Sequence, residues 1–303
     1  MSTLISCDGL SKHFGSKTAL QQVSFELQHG DTAALIGPNG AGKTTLFSIL
    51  CGYLRADSGQ AQLLGHKAGS SELFGRISAL PQDAQFDPGF SIGEQLQFYG
   101  RLQGLNNKTA LAETTRVLTL VGLAGEAGQK AAALSHGMRK RAAIAQAFIG
   151  QPELVLLDEP TAGLDPANAL AIRQLISQLS GQVSFLISSH NIFELEQLCN
   201  KVLYLDKGQL KASDTAAVQA GAPHYLTLQL EQEANEALLI QLRQLAGVQA
   251  ISQPQKKQLV FTLQPEQADS FDISLLQCLA AHGWRYRNLT KGQTLEQKLF
   301  SVG

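Results

Sequence analysis

The sequence has few cysteines and no long apolar run, and each absence excludes a class of protein. The four cysteines among 303 residues lie far apart with no C-x-x-C pair, so we expect reduced thiols and no disulfide framework. No stretch approaches the ~18 apolar residues that span a bilayer. The N-terminus, MSTLISCDGLSKHF, lacks the basic start and apolar stretch of a secretory signal. Any role at a membrane is therefore expected to require a separate membrane-spanning partner.

The sequence also lacks an excess of charge of either sign. Lys and Arg number 24, Asp and Glu number 25, and no basic field that would attract a polyanion follows from this balance. We therefore expect no nucleic-acid partner. The composition, 44% hydrophobic and 16% charged, is that of a globular chain, and the length suggests about two domains.

A phosphate-binding loop is predicted near the N-terminus. TAALIG is a short apolar run typical of a strand buried on both faces, and TTLFSILCG reads as a helix that ends at Gly52. Between them GPNGAGKTT fits the pattern G-x-x-x-x-G-K-S/T, whose backbone N–H groups and helix N-terminus bind phosphates. Lys43 would reach the terminal phosphates and Thr44 would bind Mg²⁺. The predicted loop residues are Gly37, Pro38, Asn39, Gly40, Ala41, Gly42, Lys43, Thr44 and Thr45.

Two carboxylates follow a second predicted strand, in LVLLDEP. Ligands of open parallel sheets bind outside the carboxyl ends of the strands. Asp158 is therefore predicted to hold Mg²⁺ through water, and Glu159 to activate the attacking water. The two motifs indicate a P-loop nucleotide hydrolase, but they do not separate a transporter subunit from a kinase, a GTPase or a helicase.

LSHGMRKR, residues 134–141, resembles the signature motif of the ABC ATPase family. In that family the motif closes over the γ-phosphate of ATP held by the opposite subunit, so the resemblance implies this role for Ser135 and the backbone at Gly137. The chain departs from the usual LSGGQ at His136 and Met138. The cationic run 139–141 is most simply predicted to be a solvated helix face.

Further positions resemble family motifs in family order. Gln82 resembles the Q-loop glutamine, which joins the Mg²⁺ shell, and Asp165 in TAGLDP resembles the D-loop and is also a predicted helix N-cap. His190 resembles the switch histidine near the γ-phosphate. Phe14 stands where the family places an aromatic residue on adenine, with packing in the core or an edge strand as the alternative.

The resemblance implies an α/β fold with a P-loop, RecA-like ABC ATPase core, an antiparallel β subdomain and a helical subdomain at about 88–150. We predict this nucleotide-binding domain over residues 1–220. Within its helical part, Ser91 and Glu94 have capping-box spacing, and Leu111, Leu118 and Val121 are predicted to line one apolar face. A linker, DTAAVQAGAPH, would lead to an accessory domain over 221–303 whose βαββαβ order is ferredoxin-like.

The resemblance also implies cofactors and partners. ATP and Mg²⁺ would bind between two ABC ATPase subunits, either two copies or a paralogue pair. SIGEQLQFYGRLQGL, GMRKR and TLEQKLF resemble the ATPases of ABC-2-type exporters, whose permease is a separate polypeptide. The chain would then be cytoplasmic, peripheral on the inner face of the cell membrane. Candidate contacts with the permease are Phe86, Phe90, Phe98 and Tyr99, for which buried packing is the alternative.

Three other functions compete with the exporter. An importer ATPase could also carry a small α/β domain after its core. A soluble ABC ATPase acting on ribosomes or DNA usually has two cores or long coiled coils, and neither is found in this sequence. An interaction protein with an inactive site is disfavoured because Lys43, Asp158, Glu159 and His190 are all intact.

Overall fold

A computed structural model describes residues 2–189, 195, 198–212, 224–264, 267 and 271–291. The chain divides into two compact units, Met1–Thr215 and Ala216–Gly303. Within the described residues no helix is long and apolar enough to cross a membrane. All four cysteines are free, and burial raises the pKa of Cys7, Cys51 and Cys199 to about 12.

A six-stranded sheet forms the centre of the first unit, in the order β10-β9-β3-β8-β7-β6. Its strands are β3 (Thr32–Ile36), β6 (Ile77–Leu80), β7 (Leu154–Asp158), β8 (Ser184–Ser189), β9 (Lys201–Asp206) and β10 (Gln209–Ala212). All pairs are parallel except β9 with β10. Every residue of β3, β7 and β8 is buried, as their apolar sequences predict. The segments that follow β3 and β7 therefore emerge at the same end of the sheet.

An antiparallel sheet, in the order β2-β1-β4-β5, lies beside the first helix. Its strands are β1 (Thr3–Phe14), β2 (Lys17–Gln28), β4 (Ser58–Leu63) and β5 (His66–Lys67), and the helix is α1 (Lys43–Leu50). Leu4, Leu10 and Val23 of this sheet share one buried cluster with Leu46 of α1 and Leu156 of β7. This shared core fixes the β1–β2 hairpin close to the loop that precedes α1.

The described residues of this unit form four further α-helices: α2 (Ile92–Leu102), α3 (Asn107–Leu120), α4 (His136–Ala147) and α5 (Pro166–Leu179). The predicted capping box is present, because Ser91 accepts from the Glu94 N–H and the Glu94 carboxylate accepts from the Ser91 N–H. The prediction for Leu111 was wrong: this side chain is exposed. The buried stripe of α3 consists of Ala110, Thr114, Val117 and Leu118.

The second unit contains β11 (His224–Leu230), α6 (Glu236–Arg243), β12 (Val248–Gln255), β13 (Gln258–Leu263), α7 (Phe271–Ala281) and β14 (Tyr286–Lys291). Its sheet has the order β12-β13-β11-β14 and is antiparallel throughout. Phe261 and Phe271 meet at 5.4 Å between ring centroids within its own apolar core. The predicted linker, DTAAVQAGAPH, lies outside the described residues except for its last residue, His224, which begins β11. The predicted segment TLEQKLF also lies outside the described residues.

Candidate nucleotide site

The loop between β3 and α1 has a backbone that only glycine fits at two points. A side chain at Gly37 would overlap the carbonyl oxygen of Leu205, and one at Gly42 would overlap that of Ala19. Gly42, at the N-cap of α1, also has φ +110°, a left-handed conformation that favours glycine. The loop therefore lies tightly against neighbouring backbone, and its shape is fixed before any ligand arrives.

Lys43 is the cation of this loop, and it is only 7% exposed. Its Nζ donates to the Gly37 carbonyl at 2.7 Å and to the Pro38 carbonyl at 3.3 Å. The same Nζ lies 4.0 Å from Glu159 Oε1. A buried ammonium held by carbonyls and a carboxylate is placed to exchange these partners for phosphate oxygens.

Asp158 is held by hydroxyl groups from two elements. Thr44 Oγ1 donates to Asp158 Oδ2 at 3.3 Å, and Ser188 Oγ donates to Asp158 Oδ1. Ser188 Oγ also accepts the N–H of Glu159 at 3.0 Å. Ser188 was not among the predicted site residues, although it lies in the adjacent parallel strand in register with Asp158.

Glu159 follows β7 in a strained conformation. Its φ is +49°, a region that non-glycine residues rarely occupy and that costs on the order of 1–3 kcal/mol. Its side chain is buried beside Lys43. Strain of this kind persists only where surrounding bonds impose it, and here the N–H of Glu159 is fixed by Ser188. The result is a carboxylate turned toward the phosphate loop.

The residues around Asp158 fit a Mg²⁺ ion that is shared with a phosphate ligand. Mg²⁺ prefers hard oxygen ligands and is usually bound by one or two carboxylates together with substrate phosphates. Asp158 and the Thr44 hydroxyl supply such oxygens 3.3 Å apart. Among the residues that the structure describes, no group of three or more His, Cys, Asp and Glu forms a cage for a metal.

A cavity of about 250 Å³ brings most of the predicted residues together. Its lining comprises Phe14, Lys17, Ala19, Asn39, Gly40, Gly42, Lys43, Thr44, Thr45, Gln82, Asp158 and Glu159. The carbonyls of Gly37 and Pro38 accept hydrogen bonds from Lys43, and Ala41 is a buried residue of the same loop. Lys17 and Ala19 are additions that the sequence did not indicate, because β2 reaches the site only through the packing of the sheet.

Phe14 lies at the mouth of this cavity, at the end of β1. Its side chain is 51% exposed, which rules out the alternative of packing in the core. Lys12 Nζ stands 5.7 Å from the ring centroid and is itself bound to Asp57 at 2.6 Å. An exposed aromatic ring at the rim of a phosphate pocket is suited to stacking on a planar base.

Gln82 follows β6 and lines the cavity with an exposed side chain. Its backbone carbonyl accepts a hydrogen bond of 3.2 Å from Lys140 Nζ on α4. The prediction of a solvated cationic face was therefore wrong for Lys140 and for Arg141, which are half-buried. Burial lowers the pKa of Lys140, and the nearby carboxylates of Asp83, Asp158 and Glu159 oppose that change.

Ser135 and Gly137 lie at the start of α4, outside the lining of the cavity. Ser135 is the N-cap and accepts the Met138 N–H at 3.2 Å. A side chain at Gly137 would overlap the Asn168 amide, so this position admits no Cβ without movement. Asn168 in turn donates to Asp165, and its bonds hold the pKa of that carboxyl below its usual value.

Asp165 is the N-cap of α5, as predicted, with Pro166 at the first helical position. His190, predicted as the switch histidine, lies outside the described residues. The remaining geometry, a rigid glycine loop with its buried lysine at the carboxyl edge of a parallel sheet, makes the first unit a P-loop nucleotide-binding domain.

Comparison with known proteins narrows this class. A family model described as ABC transporter matches residues 20–162. The linearmycin resistance ATP-binding protein LnrL of Bacillus subtilis is 32% identical over 255 residues, which are 82% of this chain and 82% of that protein. The Nod factor export ATP-binding protein I of Ralstonia nicotianae is 35% identical over 231 residues, covering 74% of this chain and 68% of that protein.

Solved structures agree with this assignment. An ATP-binding cassette of an ABC transporter in its ADP conformation aligns with a TM-score of 0.62 and 26% identity, over 70% of this chain and 91% of that one. A dimeric, post-hydrolysis cassette bound to ADP and phosphate is 22% identical, with a TM-score of 0.63 over 70% and 98% of the two chains, and shares the fold. The chain belongs to the ATP-binding proteins of ABC transporters and is an ATPase.

Proposed function

We propose that this ATPase energises a separate membrane-spanning exporter of the ABC-2 type and works as a dimer, with a second copy or with a paralogue. The observation that carries the dimer is the position of Ser135. The serine caps an exposed helix N-terminus, yet it lies outside the lining of the cavity that holds Lys43 and Glu159. A helix N-terminus binds anions well, so in this proposal it meets the γ-phosphate of ATP in the other subunit.

Hydrolysis in this proposal uses the side chains of the cavity. Glu159 accepts a proton from water, whose oxygen attacks the γ-phosphorus while the bond to the β–γ bridging oxygen breaks. Lys43 leaves its carbonyl partners and stabilises the charge on the transferring group. Phe14 stacks on adenine at the rim of the cavity. Positioning and electrostatics supply most of the acceleration of such reactions.

Thr44, Asp158 and Gln82 would hold Mg²⁺, which would shield the phosphate charge. These three residues would orient the triphosphate, and Ser188 would hold the Asp158 carboxylate in position. His190 is proposed to fix the γ-phosphate and the water, as the family resemblance implies.

Export is supported by the names of two relatives, one of linearmycin resistance and one of Nod factor export. A groove of about 430 Å³ beside α1 is lined by Tyr53 and Phe74, which are 78% and 67% exposed. Phe90, just before α2, and Phe98, within α2, are also about half exposed. We propose that these apolar side chains contact a coupling helix of the permease, at the cytoplasmic face of the membrane.

The second unit is proposed to be a ferredoxin-like accessory module. Its element order is βαββαβ, and its strand order corresponds to 4-1-3-2 in chain numbering of the four strands. It holds an apolar core of its own, which suits a module for dimerisation or regulation.

Glu159→Gln tests the proposed hydrolysis and dimer. The amide cannot accept the proton from water, so turnover should almost cease while ATP still binds. Light scattering should then detect an ATP-bound dimer, whereas the nucleotide-free variant stays monomeric. Unchanged hydrolysis would remove Glu159 from the role of base, and a monomer saturated with ATP would contradict the dimer.

Phe74→Glu tests the permease contact, with Ile240→Glu in the second unit as the matched control. Both side chains are exposed, so neither change should affect folding. Phe74→Glu should abolish sedimentation with vesicles prepared from the membranes of the source cells, because it places charge in an apolar contact. Equal sedimentation of the two variants would reject the groove as the docking surface.

A further inference from the structure

The cationic run on α4 binds three backbone carbonyls that lie in different parts of the first unit. Arg139 Nη1 donates to the Leu134 carbonyl at 2.6 Å, immediately before the helix. Arg141 Nη1 donates to the Val121 carbonyl at 3.1 Å, just after α3. These two bonds fasten α4 to the helical part of the unit, in which both acceptors lie.

Lys140 makes a different connection. Its Nζ reaches the Gln82 carbonyl at 3.2 Å, in the loop that follows β6 of the central sheet. The Gln82 residue also lines the cavity that contains Lys43 and Glu159. Lys140 is thus bonded to a residue of the phosphate cavity, whereas its own helix begins at the Ser135 cap.

Lys140 lies in a partly buried cleft near three carboxylates. Lys140 is half-buried and lines a second cavity, of about 560 Å³, with the loop segment 82–86 on one side. Ala162 and Gly163, which follow Glu159, lie on the other side. Asp83, Asp158 and Glu159 attract the ammonium toward this cleft. A carbonyl in a partly desolvated, acidic cleft is a stronger partner for a cation than one in open water.

We infer that Lys140 is a positioning residue that couples the Gln82 loop to the helix carrying Ser135. A nucleotide that displaces Gln82 would move the carbonyl bound to Lys140, and through α4 it would move Ser135 toward the facing subunit. The effect of this coupling on the facing subunit rests on the proposed dimer. The Lys140–Gln82 hydrogen bond itself lies within one chain.

The test compares Lys140→Met, Lys140→Arg and the control Lys108→Met on the exposed surface of α3. Amide hydrogen exchange over residues 82–86 of the nucleotide-free protein should be at least about threefold faster in Lys140→Met than in the control, because the loop loses its hydrogen bond to Lys140. Lys140→Arg keeps a donor and should restore most of the protection. This measurement requires neither catalysis nor dimerisation.

Steady-state kinetics provide the second measurement. Lys140→Met should lower kcat about tenfold, while the Kd of ATP for a single subunit, measured by titration, changes less than about twofold. The variant is expected to impair positioning and to leave the binding of ATP to one subunit intact. Lys140→Arg should recover most of kcat. Exchange and kcat equal to those of Lys108→Met would overturn the inference, as would a Lys140→Arg variant as impaired as Lys140→Met.

A comparison in the Glu159→Gln background separates this inference from the proposed function. If Glu159→Gln forms no dimer with ATP, the proposed dimer fails, and the exchange result still decides the role of Lys140. If Glu159→Gln dimerises and Lys140→Met added to it needs no more ATP to do so, the coupling is refuted. We expect the double variant to need about ten times more ATP for half-maximal dimer.

Discussion

Ser188→Ala should damage the site more than its size suggests. The Ser188 side chain is fully buried, donates to the Asp158 carboxylate and accepts the Glu159 N–H at 3.0 Å. A hydrogen bond to a charged group contributes about 1.5–3 kcal/mol, and an unsatisfied buried N–H costs about 1–3 kcal/mol. Because the two effects share one atom and are not additive, we expect a loss of about 3 kcal/mol in the free energy of unfolding.

A loss of that size should lower Tm by about 6–12 °C for a unit of this length. Catalysis should fall further, because Asp158 and the strained Glu159 backbone both lose the group that orients them. A misplacement of about 1 Å costs on the order of 100-fold in rate, so kcat should fall about 10- to 100-fold per folded molecule. Thermal denaturation and ATPase assays below the transition measure the two effects separately.

Ser184→Ala is the matched control, since it lies on the same strand at the opposite end. Its buried hydroxyl accepts the Gly30 N–H at 3.0 Å, so its removal should cost about 1–2 kcal/mol of stability. It should leave kcat unchanged, because the bond lies away from the carboxyl end of β8. If Ser188→Ala retained kcat within twofold of Ser184→Ala, the hydroxyl would have no part in orienting the carboxylates.

Three more outcomes are expected. Phe14→Ala should weaken ATP binding about tenfold, since loss of aromatic–base stacking costs about 1–3 kcal/mol. Phe14→Tyr keeps an aromatic ring and should bind ATP as the wild type does, and titration with a fluorescent ATP analogue measures both affinities. Gly42→Ala should destabilise the protein by at least about 2 kcal/mol and abolish nucleotide binding, because the new side chain would overlap the Ala19 carbonyl. Gly30→Ala is the control: Gly30 has φ +87° but open space around it, so thermal denaturation should detect only the smaller cost of backbone strain. Thr44→Val should raise the Mg²⁺ concentration for half-maximal hydrolysis about tenfold but leave Mg²⁺-free ATP binding unaltered, and an unaltered Mg²⁺ requirement would remove its hydroxyl from the metal site.

Local patterns in the sequence were sufficient to locate the central elements. The predicted strand Leu154–Asp158 is the observed β7, residue for residue. The predicted run TAALIG, residues 32–37, contains β3 (Thr32–Ile36), which ends one residue earlier. The Asp165-Pro166 start of α5 and the Ser91–Glu94 capping box are likewise confirmed. These features depend on residues within one element, and backbone hydrogen bonding with local burial decides them.

Contacts between distant segments could not be predicted in the same way. Ser188 reaches Asp158 because of the register of β7 and β8, and Lys140 reaches Gln82 because α4 lies beside the loop after β6. Leu111 was predicted to share an apolar face with Leu118 and Val121, but it is exposed, because the face of α3 that packs is set by its neighbouring helices. Side-chain burial on a polar helix follows from tertiary packing, which helical periodicity alone does not specify.

In the proposed dimer, each ATP is held by Lys43 of one subunit and capped by Ser135 of the other. Lys43→Ala and Ser135→Arg should each abolish hydrolysis alone, whereas a mixture allowed to exchange subunits should contain one intact site in each mixed dimer. If subunits pair at random, half of the dimers are mixed, and about a quarter of the wild-type ATPase activity should return on mixing. A mixture as inactive as its two components, or a Ser135→Arg protein that hydrolyses ATP normally, would contradict it.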